Sequence, residues 1–244
     1  NGRRNHLQLP PQTATILLRD TLADWQTQIP NALSVRRVDA VKAVAQSRDA
    51  VKRDAAAQFG ASIDKTVEFL DQQVWNKPAN QLNAFKRDAA WGVGGSVLAI
   101  NRFSIKDDEA LLITLDPLGG KYLGFQLTDP WLRSAPYERR STSLSNRQAK
   151  ANADGSITYV LSLKDPGVYN WLDTGNLHDG IAVVRWELLP KTADASKAVR
   201  EVRKIKLSEV AARVPATVAR VTPGERQLQL AARQSGYQLR IAQN

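Results

Sequence analysis

Three features of the 244-residue sequence predict an α+β fold. Helical periodicity dominates residues 1–90, short β-branched runs punctuated by turn residues fill 91–210, and a strong helix start falls at Thr222. The expected organisation is an N-terminal helical portion (1–90), an antiparallel β-sheet domain closed as a sandwich or barrel (91–210), and a C-terminal helical extension (211–244).

Taken in order, residues 1–12 read as a polar, basic arm ending at Pro10-Pro11. A first helix is expected over about 14–29, with the stripe Leu18, Leu22, Trp25 and Ile29 and a stop at Pro30. Ser34 then caps a second helix carrying Val38, Val41, Val44, Val51, Ala55 and Phe59, with Gly60 just past its end. A third begins after Ser62, with the stripe Val67, Leu70 and Val74, and a shorter fourth piece holds Leu82 and Phe85. Beyond the glycine cluster at 92–95 the period becomes strand-like. Strands are expected at 97–103, 110–116, 121–127, 157–163, 181–189 and 199–207, separated by turns such as Asp116-Pro117-Leu118-Gly119-Gly120 and Asp165-Pro166-Gly167. Thr222-Pro223-Gly224-Glu225 supplies an N-cap, Pro at N1 and the Glu of a capping box. The helix that follows reads as peripheral, with Leu228, Ala232, Ser235, Leu239 and Ala242 inward and Arg226, Arg233 and Arg240 outward.

Composition narrows the chemistry. There is no cysteine, so disulfides and thiolate sites are excluded, and two histidines are too few for a His₃ zinc site. No metal and no cofactor is expected. The Asp-Gly and Asp-Pro pairs around Asp165, Asp173 and Asp179 read as turns. No continuous apolar run has the length of a membrane span, and no signal peptide is read at the start; the compartment is left open. The net charge of +10 is uneven: +4 over 1–90, −1 over 91–190 and +7 over 191–244. The basic tail has one aromatic, Tyr237, so nucleic acid is an unfavoured partner and an acidic protein is a better one.

The densest stretch is 165–186, with two of the six Trp, one of the two His, three Gly and three Asp. It reads as turn, loop and strand. Asp107-Asp108-Glu109-Ala110-Leu111-Leu112-Ile113, Tyr122-Leu123-Gly124-Phe125-Gln126-Leu127, Trp131, Tyr137, Asp165-Pro166-Gly167 and Asn170-Trp171-Leu172-Asp173-Thr174 resemble the bacterial domain of unknown function 1214 family. The resemblance covers about 95–190, with a looser match at Thr222-Pro223-Gly224-Glu225-Arg226. It implies a jelly-roll-like β-sandwich, and because the family carries no established activity it transfers no catalytic residues.

The residues themselves suggest a rim where loops 131–140 and 165–180 meet. Trp131, Tyr137 and Trp171 offer flat apolar walls, while Arg139, Arg140 and Arg185 offer donors for an anionic or polar head. The leading expectation is a small-molecule-binding or structural module. The alternatives are an enzyme using His178, Tyr137, Asp173 or Glu138 for acid–base chemistry, and an interaction subunit docking an acidic partner through the basic C-terminal helix.

Overall fold

The computed structural model describes Ile16 and residues 18–36, 46–86 and 95–242. Among them, nine strands form two sheets around a shared apolar core. The first sheet has the order β1 (Ala84–Lys86), β2 (Val97–Ser104), β8 (Asp179–Glu187), β4 (Tyr122–Thr128), β5 (Ser143–Ser145). The second runs β7 (Trp171–Asp173), β6 (Ile157–Ser162), β3 (Glu109–Leu115), β9 (Val199–Lys206). Pairing is antiparallel throughout except between β6 and β7, which run parallel.

Side-chain alternation builds the core from both sheets. Ala99, Leu123, Phe125, Val184 and Trp186 enter from one side, and Leu111, Ile113, Tyr159 and Leu161 from the other. Phe125 meets Tyr159 edge-to-face at 5.3 Å across the core. The Trp186 indole donates to the Asp116 carbonyl at 2.7 Å, so the largest core side chain is also satisfied. The six strands expected from the sequence all occur, with ends within two residues. The three-residue strands β1, β5 and β7 were not expected, because so short a run displays no period.

The N-terminal helices differ from expectation. Residues 18–36 contain no helix, only a turn at 25–27. Here side chains outcompete the helical ladder. The Asp24 carboxylate accepts from Gln26 N and Thr27 Oγ1, and Gln28 Oε1 accepts from Ala23 N and Asp24 N. Leu18 and Ile29, the ends of the supposed stripe, are exposed. The second and third expected helices are one helix, α1 (Arg48–Leu70), capped by the Ser47 hydroxyl on Ala50 N and prolonged by a π turn at Asp71–Trp75. Gly60 sits inside α1; a helix-interior glycine costs only about 1 kcal/mol and does not force an end. Val38, Val41 and Val44 lie outside the described residues.

Each sheet has an outer face, and each is covered differently. On the four-stranded sheet, Ala110, Leu112, Val160, Trp171 and Ile205 pack beneath Val210, Val214 and Val218, from the short helix α2 (Val210–Arg213) and the segment after it. On the five-stranded sheet, Leu70 and Val74 cover Leu98, Ile100, Ile181 and Val183. The rest of that face is floor for the site described below.

The last helix, α3 (Pro223–Ile241), has the capping box read from the sequence: Thr222 Oγ1 accepts from Glu225 N, and Glu225 accepts from Thr222 N. Its orientation is the reverse of that expected. Leu228 and Leu239 are exposed, whereas Arg226 and Arg233 are 4% and 8% exposed. The helix docks through the seven-residue repeat Arg226, Arg233, Arg240, and Gly236 lets its backbone approach that of Trp25. A Cβ on Gly236 would lie 3.2 Å from the Trp25 carbonyl carbon. The arginines assigned to a partner surface are thus largely engaged with the body of the protein.

Candidate functional site

The uncovered half of the five-stranded sheet's outer face carries side chains two residues apart on adjacent strands. Gly124 lies opposite Arg185 on β8 and Ser145 on β5, Gln126 opposite Val183 and Ser143, and Tyr122 opposite Glu187. These residues floor a cavity of about 420 Å³, walled by residues 19–22, Trp25, Tyr137 and Arg240. The N-terminal segment is tied over this floor at three points. Ser145 Oγ donates to the Ala23 carbonyl, Thr21 Oγ1 donates to Glu187 Oε2 at 2.9 Å, and Arg19 Nη1 lies 3.6 Å from Glu187 Oε1.

The Tyr122 ring lies over Gly124, where a Cβ would overlap it. Glycine is therefore required for the aromatic floor. Replacing Gly124 with alanine is expected to push the ring into the cavity and lower stability by about 1–3 kcal/mol, the usual cost of overpacking. A urea-midpoint shift together with changed near-ultraviolet dichroism would report both effects.

The charged groups of the lining are unequally paired. Both carboxylates in the lining are engaged: Glu187 as above, and Asp20 with the Asn31 backbone and side-chain amides at 2.6 Å each. Asn31 holds the Asp20 carboxyl below its ordinary range. Arg240 stacks over Trp25 at 5.7 Å with no carboxylate partner among the described residues. The Arg185 side chain makes no hydrogen bond or ion pair among the described residues. Burial, then the Glu187 charge, pushes the Tyr122 hydroxyl up, against the pull of Arg185 and Arg240. Burial and the neighbouring Tyr237 hydroxyl likewise raise Tyr137. Both phenols therefore remain neutral hydrogen-bonding walls at physiological pH.

The residues singled out in the sequence scatter relative to this cavity. Tyr137 and Arg185 line it. Loops 131–140 and 165–180 do meet, but their contact is filled by protein. Arg140 grips Asp173 through Nε and Nη2, both at 2.7 Å, and the Gly175 backbone packs near Ala135. Trp171 is buried, and its indole donates to the Ser162 carbonyl at 3.1 Å. Trp131 is exposed and meets Trp75 edge-on at 5.3 Å. Arg139 is exposed and outside the lining, as is Glu138, which is only partly buried. His178 is exposed near Asp107, its Nε2 3.4 Å from the carboxylate, and its Nδ1 lies 3.0 Å from the Ile105 carbonyl. Of the four acid–base candidates, Tyr137 alone reaches the cavity. Asp165 and Asp173, read as turn residues, hold Arg226 and Arg140. Among the described residues, no cluster of three His, Asp or Glu is arranged to hold a metal ion.

Sequence reading missed Trp25, Tyr122, Glu187 and Arg240. Trp25 was absorbed into a helical stripe, and Arg240 was placed on an outward face. Tyr122 and Gly124 did carry a signal: alternation puts them on one face, with Arg185 on the opposite strand.

A second hollow, over β3 and β9, is lined by groups that satisfy one another. Arg200 bridges Asp116 at 2.6 Å and Asp154 at 2.5 Å, and Asn152 donates to Ser156 Oγ and Thr158 Oγ1. Among the described residues, no donor is left over there comparable to the Arg185 side chain.

No family model matches the chain, and no curated protein does. Among solved structures, an uncharacterised protein from Burkholderia cenocepacia is 29% identical with a TM-score of 0.45, over 54% of this chain and 36% of that protein. A structural-genomics target from Vibrio parahaemolyticus is 13% identical with a TM-score of 0.34, over 45% of this chain and 30% of that protein. The chain thus spans about a third of the length of these structures. Among the described residues, no helix is long and apolar enough to cross a membrane.

Proposed function

We propose that this protein is a small-molecule-binding module related to the domain of unknown function 1214 family, with a jelly-roll-like winding and a ligand site on the outer face of its five-stranded sheet. The winding is supported by the chain changing sheet at β2→β3, β3→β4, β5→β6, β7→β8 and β8→β9. The family reading is supported by Asp165 and Arg226, from separate parts of the resemblance, bonding to each other.

The observation that carries the binding reading is Arg185. Its guanidinium stands on the floor of a 420 Å³ cavity without an ion-pair partner among the described residues, beside two neutral tyrosines. That arrangement suits a ligand with an anionic head and a flat apolar body. Binding is favoured over turnover because, of the acid–base candidates His178, Tyr137, Asp173 and Glu138, only Tyr137 lines the cavity, and the Asp20 and Glu187 carboxylates there are held by Asn31, Thr21 and Arg19.

Native mass spectrometry of the gently purified chain is expected to show a bound acidic compound that denaturation releases. Arg185→Ala should lose at least about tenfold in occupancy, a charge-assisted hydrogen bond contributing about 1.5–3 kcal/mol. Because Arg185 is exposed, its denaturation midpoint should stay within about 0.5 kcal/mol of the parent. Equal occupancy in the parent and Arg185→Ala proteins, or an apo mass for the parent, would sink the proposal.

A further inference from the structure

Behind Trp25 lies a separate cavity of about 220 Å³, between the 24–26 turn, residues 141–148 and α3. Its apolar walls are Trp25, Leu144, Tyr169 and Leu230. Two polar groups in its lining are unusual.

The first is Arg233. It is 8% exposed, yet no carboxylate lies within ion-pair distance among the described residues. Nε donates to the Tyr137 carbonyl and Nη2 to Ser143 Oγ at 2.8 Å, while Nη1 makes no hydrogen bond among the described residues. The guanidinium stacks over Trp25 at 4.6 Å. Burial pulls its pKa down to about 10 against the opposing pull of Glu138 and Tyr137, so at neutral pH it remains a buried cation with no carboxylate at ion-pair distance among the described residues. The second is Ser141, 2% exposed, whose Oγ has no hydrogen-bond partner among the described residues. Buried hydroxyls and buried charges are normally satisfied, and an exception in a cavity wall points to a missing partner.

We propose that this cavity binds a small organic monocarboxylate, its head taken by the Arg233 guanidinium and the Ser141 hydroxyl and its short apolar tail lying against Trp25 and Leu144. A carboxylate supplies two acceptor oxygens for a guanidinium donor and a hydroxyl donor. One negative charge suffices, because Asp24 and the exposed Arg147, which also line the cavity, offset each other. A phosphate dianion would leave excess charge inside. This site is distinct from the Arg185 cavity, and Trp25 is part of the wall of both.

The test is calorimetric titration and thermal unfolding of the full chain with butyrate, butyramide and inorganic phosphate at pH 7 and fixed ionic strength. Butyrate should give saturable heat and raise the unfolding midpoint, and the other two should not. Arg185→Ala should leave butyrate binding unchanged, so failure at one site is separable from failure at the other. Ser141→Ala, which removes an unsatisfied hydroxyl, should unfold at or above the parent temperature without ligand yet bind butyrate about tenfold more weakly, the loss of one charge-assisted hydrogen bond. Arg233→Gln should abolish binding; if that variant does not fold, Ser141→Ala alone decides. Absence of saturable butyrate binding, equal affinity in Ser141→Ala, or equal binding of phosphate or butyramide would overturn the proposal.

Discussion

Arg226→Ala is expected to undock α3 and lower stability by about 1–3 kcal/mol, the range for leaving buried hydrogen-bonding groups without a partner. Arg226 is 4% exposed and reaches from the first turn of α3 into the 165–169 turn. Its Nε lies 2.9 Å from Asp165 Oδ2, Nη2 also reaches Asp165 Oδ1, and the guanidinium donates to the Val168 and Tyr169 carbonyls. Truncation removes the donor to the Val168 carbonyl and leaves the Asp165 carboxylate and the Tyr169 carbonyl only their bonds from Gly167 N and Gln229 Nε2. Lysine cannot replace the planar fork, so Arg226→Lys should recover little. The consequence extends beyond stability. Arg240 and Trp25 reach the Arg185 cavity only while α3 is seated, because Gly236 packs on Trp25 and Arg240 stacks over it. Amide exchange across 223–241 should therefore accelerate in the variant, and ligand occupancy should fall with it. Unchanged exchange in α3 would show that other contacts seat the helix.

How far the sequence reveals this arrangement depends on range. Strands built on β-branched and aromatic residues were legible because their period is local: Val97–Ser104 and Asp179–Glu187 pair residue for residue over eight positions. The α3 start was legible because a capping box is completed within four residues. The direction of α3 was not. A thin apolar stripe and an arginine repeat compete for the interior, and the outcome is set by acceptors far away in sequence: the Tyr137 carbonyl for Arg233 and Asp165 for Arg226. The turn at Trp25 failed for a related reason, since Asp24 and Gln28 capture backbone amides that a periodicity argument assigns to a helix. Of the candidate site, Tyr137 and Arg185 were found because aromatic and guanidinium groups are conspicuous. Glu187 and Trp25 join it through contacts more than a hundred residues apart, such as Thr21 with Glu187 and Ala23 with Ser145.

Trp171 separates the rim read from the sequence from the cavity in the structure. Its indole packs with Val160, Val168 and Val214 on the outer face of the four-stranded sheet, donates to Ser162 O and has the Arg226 guanidinium 5.3 Å from its ring. Trp171→Ala should therefore cost about 3–5 kcal/mol, the usual loss for deleting a buried aromatic. Ligand binding should fall only as the folded fraction falls. Chemical denaturation followed by occupancy measurements on the folded population checks both halves: lost affinity at an unchanged midpoint would make Trp171 a ligand contact and return the site to the 165–180 loop. The double variant adds a sharper criterion. Trp171 and Arg226 share one cluster, so removing both should destabilise by less than the separate losses added together. Trp171→Phe should cost less than Trp171→Ala. It retains most of the apolar volume but loses one hydrogen bond, about 0.5–1.5 kcal/mol, the Ser162 carbonyl keeping only the 3.4 Å bond from Thr174 N.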